Sequence, residues 1–87
     1  MANRLMTLDL LGTLDIVEVD VAAVVDAYIA GPTSGPVSFG NNYQIDPAAA
    51  VAAHPFANTL IGQPWASAEL RRAAVRAAIM LAQPERM

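Results

Sequence analysis

The sequence predicts an α+β fold, mainly α: three to four short helices with a β-hairpin at about 36–45 and a candidate further strand at 14–19. Three observations carry that expectation. Eighty-seven residues have room for one hydrophobic core, so 1–87 is read as a single small domain. Apolar residues recur at three- and four-residue spacing toward both ends of the chain. Between them, residues 27–68 hold one charged side chain, Asp46, yet collect five of the six prolines and four of the five glycines.

Asn3 to Leu11 reads as a short helix, capped by Asn3 and stopped at Gly12. Its leucines lie nearly all round, which suits an interface arm over 1–12. Residues 14–19, Leu-Asp-Ile-Val-Glu-Val, are dense in β-branched side chains and favour a strand. A helical reading competes there, because Leu14, Val17, Val21, Val24 and Tyr28 also follow 3-4 spacing. The strand is preferred. Asp20 then caps a helix over 21–30, with Val21, Val24, Val25 and Tyr28 as its buried stripe and Gly31-Pro32 as its stop.

In the hairpin, Gly40-Asn41-Asn42 forms the turn, so Phe39 faces Tyr43 and Val37 faces Ile45, with Ser38 and Gln44 on the other side. A two-stranded ribbon is marginal alone, so its apolar face needs either the 14–19 strand or another subunit. Asp46-Pro47 starts a short helix that runs to about Ala53. Phe56 to Pro64 reads as irregular, with Leu60, Ile61 and Trp65 as anchors. The last helix starts at Ala66 or Ser67, reaches Ala82 and ends before Pro84. One side carries Ala66, Leu70, Ala73, Ala74, Ala77 and Leu81, and a second strip carries Val75, Ile79 and Ala82. Two apolar strips predict contacts with two bodies.

Composition narrows the function classes. Charged residues make up 15% of the chain, against about 25% in an ordinary globular protein. Hydrophobic residues reach 55%, eighteen of them alanines. A lone monomer of this make-up exposes apolar patches of the kind that mark interaction surfaces. Charge is also segregated: residues 1–46 carry a net −5 and residues 47–87 a net +2. Either the two parts offset each other within one domain, or the acidic part of one copy meets the basic helix of the next. The net charge of −3 argues against a nucleic-acid partner, since phosphate binding needs a cationic surplus. With no cysteine, disulfides and thiolate chemistry are excluded. No apolar run is long enough for membrane insertion and the first residues resemble no secretory signal, so a cytoplasmic protein, or one within a cytoplasmically assembled particle, is expected.

No motif carries chemistry. His54 is the single histidine, at a helix end, and reads as an imidazole bonded to a late helix carbonyl. Ser34, Ser38 and Ser67 lie in no nucleophile motif, and Gly31 to Pro36 lacks the lysine of a phosphate loop. Asp15, Glu18 and Asp20 lack the spacing of a calcium loop. The expectation is a chain that is not an enzyme, with no cofactor and no catalytic or metal-binding residue. It serves as a structural or accessory subunit that self-associates or joins a larger complex through residues 27–68, a multi-copy shell or virion being one setting. Val37, Phe39, Tyr43, Phe56, Leu60 and Trp65 are the candidate apolar contacts, and Arg71, Arg72 and Arg76 the candidate ionic ones. Alternatives are a small subunit of a multi-subunit enzyme and a small-molecule binding domain.

Overall fold

A computed structural model of the protein describes residues 5–31 and 35–87. Helix α1 spans Thr7–Gly12, and the expected cap at Asn3 lies outside the described residues. The Met6 backbone N–H donates to Asp9 Oδ2 at 3.0 Å, so a carboxylate one turn in satisfies an otherwise unpaired donor. The helix closes beyond Gly12. The N–H of Leu14 donates to the Leu11 carbonyl at 3.2 Å and that of Asp15 to the Leu10 carbonyl at 3.0 Å. This paired closure needs a left-handed residue, normally glycine, and Leu14 fills the position at φ 64°. An L-residue there carries about 1 kcal/mol of strain.

Residues 14–19 form no strand. Residues 13–16 turn, and α2 spans Glu18–Ala30. Two effects override the β-branched composition. Asp20 caps from inside the helix, its Oδ2 accepting from the Val17 N–H at 3.1 Å, and Glu18 and Asp20 both favour the positive end of the helix dipole. Burial of Val21, Val24 and Val25 along one stripe then rewards a helix more than a strand.

Strands β1 (Val37–Phe39) and β2 (Tyr43–Ile45) pair antiparallel in the expected register, Val37 with Ile45 and Phe39 with Tyr43. The third strand of the sheet comes from the other end of the chain: β3, Glu85–Arg86, pairs with β2 through Tyr43–Arg86 and Gln44–Glu85. The turn between β1 and β2 lies close to the start of α2. Gly40 sits at φ 68°, and a Cβ there would come within 2.8 Å of Ile16 Cδ1.

Helix α3 spans Pro47–Ala53, with Asp46 Oδ1 accepting from the Ala49 N–H at 3.1 Å. The region after it is helical, not irregular: α4 spans Pro55–Ile61. The reason is a second cap-and-proline start. His54 Nδ1 accepts from the Ala57 N–H at 3.1 Å, and Pro55 occupies the first turn where no donor is needed. His54 therefore opens α4 through its side chain rather than bonding a late carbonyl of α3.

Helix α5 spans Ala68–Leu81, with Ser67 Oγ accepting from the Leu70 N–H at 3.1 Å. Its buried face combines Ala74 and Ala78 with Val75 and Ile79, while Leu70, Ala73 and Leu81 of the first strip stay exposed. The helix meets α1, α2, α3 and α4, and the several bodies it touches belong to the same chain. The core around it includes Leu10, Ile16, Val21, Phe39, Val51 and Leu60. Thr7, also buried, closes the two ends together by donating its N–H to the Ala82 carbonyl at 2.9 Å.

Candidate docking surface

The fold divides the six candidate apolar residues into three groups. Phe39, 1% exposed, and Leu60 sit in the chain's own core and offer nothing to a partner. Val37 and Tyr43 are half-buried against that core. Phe56 and Trp65 remain outside, 60% and 68% exposed. The near-uncharged stretch is thus in part the inner lining of this domain and in part its surface. Alternation along β1 turns Phe39 inward, and the α4 stripe of Ala57 and Leu60 turns Phe56 outward.

Both exposed aromatics stand on fixed supports. Phe56 lies in the first turn of α4, its ring edge-on to His54 with centroids 6.5 Å apart. Trp65 lies in the α4–α5 connection. There the Gln63 N–H donates to the Leu60 carbonyl at 3.0 Å, and the Gln63 carbonyl accepts from the Ala66 N–H at 3.2 Å. Arg71 Nη2 donates to the same carbonyl at 2.8 Å. Arg71 Nε is buried without a hydrogen-bond partner, so this arginine is committed to holding the loop.

The other two arginines of the cluster bind acidic residues of α2. Arg76 makes a two-pronged contact with Glu18, at 2.8 Å and 3.0 Å, and Arg72 pairs with Asp26. The acidic and basic parts of the sequence therefore meet inside one chain. The hydrogen bond from Arg76 holds the Glu18 carboxyl below the usual glutamate range, and that from Arg72 holds Asp26 below the usual aspartate range. A carboxyl with a depressed native pKa stabilises the fold above its unfolded value, and that stability is lost as pH falls through the native one. Both pairs are accordingly intact at neutral pH and open only as pH falls through the depressed native values, below the range in which unpaired carboxyls titrate. NMR titration of the Glu18 and Asp26 side chains should give midpoints below those of unstructured peptides. Arg76→Gln should return Glu18, and Arg72→Gln should return Asp26, to the ordinary range; unmoved midpoints would contradict the pairing.

A second feature is an open groove of about 590 Å³ between the outer face of β2, α3 and the end of α5. Small alanines, Ala49 and Ala53 among them, line much of it, with Gln44, Asp46, His54, Gln83 and Glu85 as polar members. Since His54 Nδ1 is the acceptor of the α4 cap, the neutral ring carries its proton on Nε2. Among the described residues no group of three or more His, Asp or Glu side chains is placed to hold a metal ion. No described helix is long and apolar enough to cross a membrane.

Sequence reasoning missed Leu14, Val17 and Val19, which are all exposed, Leu14 to 77% and Val19 to 75%. Their pattern was legible only on a helix starting near Val17, where the inward stripe of Val21, Val24 and Val25 leaves Val19 outside. No family model, curated protein or solved structure matches this chain.

Proposed function

We propose that the protein is a non-catalytic structural or accessory subunit that docks into a larger assembly through exposed apolar side chains. The observation that carries this reading is the pair of outward aromatics, Phe56 and Trp65, on supports that hydrogen bonds hold in place. Tryptophan is the residue most enriched among those that dominate binding energy, and a rigid support lowers the entropy cost of using it. Leu5 and Leu8, exposed at α1, add to the apolar surface and suit an interface arm. The low charge content leaves few polar side chains to cover it. A multi-copy shell or virion is one setting for such a subunit.

Native mass spectrometry and light scattering test the reading. An assembled species that dissociates in Phe56→Ala and Trp65→Ala, with the helical signal retained, is expected. A stable 9.1 kDa monomer at micromolar concentration that also enters no complex with co-expressed neighbours would overturn it.

The groove beside His54 favours a second reading, a small-molecule binding domain, because its volume falls in the range of ligand pockets. Amide shifts confined to Ala49, Ala53 and His54 in a fragment screen would favour it over docking.

A further inference from the structure

The shoulder where α1 turns into α2 exposes apolar side chains that the domain itself does not bury. Leu14 occupies the left-handed position that closes α1, where glycine carries no penalty, and its side chain projects almost wholly into solvent. Nothing inside the chain offsets that strain with burial. Val17 and Val19 continue the apolar surface within five residues. The backbone angle serves the closure of α1, but the exposed leucine side chain has no role inside the chain, where glycine would close the helix as well.

The charge around these side chains says what that use is. Residues 5–31 contain Asp9, Asp15, Glu18, Asp20 and Asp26 and no lysine or arginine. Arg76 and Arg72 offset Glu18 and Asp26, which leaves Asp9, Asp15 and Asp20 as an acidic rim. Each of the three is oriented through one oxygen: Asp9 by the Met6 N–H, Asp15 by the Thr13 hydroxyl at 2.7 Å, and Asp20 by the Val17 N–H. A second carboxylate oxygen on each stays available to an incoming cation.

We infer that this shoulder is the docking site for a basic amphipathic segment of a partner protein, with Leu14 as the anchor and Asp9, Asp15 and Asp20 reading the partner's lysines or arginines. This rests on the docking reading above and adds the chemistry of the partner. Anionic lipid surfaces and nucleic acids are repelled by the same rim. A second copy is a poor source of the cations, because three of the five arginines in the sequence, Arg71, Arg72 and Arg76, are already engaged by the Gln63 carbonyl, Asp26 and Glu18, which leaves fewer cations than the rim has carboxylates.

The test uses a helical leucine–lysine peptide as the probe and its leucine–glutamate counterpart as the control, followed by amide NMR on the full chain. The lysine peptide should shift Leu14, Val17 and Val19, weaken as salt is raised, and lose about tenfold or more in affinity with Leu14→Gly. Leu14→Gly should at the same time raise the thermal midpoint by about 5 °C, because glycine relieves the left-handed strain. A gain in stability with a loss in binding separates a docking anchor from a structural residue. Val19→Ser serves as a second variant that leaves the α1 closure untouched. Equal binding of both peptides, shifts elsewhere, or unchanged affinity in both variants would overturn the proposal. Self-association lost in Leu14→Gly without any response to the lysine peptide would assign the shoulder to a second copy and also overturn it. Loss of assembly in Trp65→Ala alone, with Leu14→Gly unaffected, would leave the general docking reading standing and remove this one.

Discussion

Phe39→Ala is expected to cost about 3–5 kcal/mol, whereas Phe56→Ala at the surface should stay within about 0.5 kcal/mol of the parent. The two phenylalanines are equivalent by composition and lie in the same near-uncharged stretch. Their difference is entirely one of placement. Phe39 faces inward from β1 into a core that includes Val21 and Val75, so its removal leaves a cavity that short, capped helices cannot collapse to fill. For 87 residues the total stability is of order 4–13 kcal/mol, so Phe39→Ala takes away a large share of it. Urea denaturation of both variants measures this directly. A Phe56→Ala loss as large as that of Phe39→Ala would mean that the assignment of the two rings to inside and outside is wrong.

Gly40→Val should cost about 2–5 kcal/mol, from two sources that add. A β-branched residue at φ 68° pays left-handed strain of about 1–2 kcal/mol. Its Cβ also meets Ile16 Cδ1, and because Ile16 is fully buried the atom has little room to retreat, an overpacking cost of about 1–3 kcal/mol. Asn41→Ala, one residue along the same exposed turn, should be nearly neutral. Ile16→Val removes the obstructing methyl group, so its own cost should shrink or vanish in the Gly40→Val background, a coupling that a double-mutant cycle reads out. Strict additivity of the two changes would show that the close approach of the turn to α2 is not what glycine is there for.

Much of the architecture was legible from local grammar. The Asp46-Pro47 pair marked the start of α3, the expected start of α5 at Ala66 or Ser67 fell within two residues of the observed Ala68, and the hairpin register matched the one expected from its turn. The same grammar wrote α4, but with histidine as the capping side chain, which lies outside the usual set of capping residues. Residues 14–19 failed for a different reason. β-branched density is a weak preference, and the burial of Val21, Val24 and Val25 on α2 decides against it. Strand β3 is two residues long and leaves no periodic trace; only its pairing with Tyr43 and Gln44 makes it a strand.

The surface was less legible than the fold. A run of uncharged residues says that something is buried without saying against what. Phe39 and Leu60 answer with their own helices, while Phe56 and Trp65 do not. Segregated charge had the same ambiguity, and the Arg76–Glu18 and Arg72–Asp26 pairs resolve it within the chain. Leu14 escaped notice because its defining property is a backbone angle, and nothing in the residue name announces a left-handed conformation.

Helix α5 packs against each of the other four helices. Because it follows the other four helices in the sequence, the order of synthesis matters. As the ribosome works through residues 1–67, the valines of α2, Phe39 and Leu60 all emerge before the surface that will cover them. Until residue 81 is free these side chains lack the face that covers them in the finished domain, so completion of α5 is the step that closes the core.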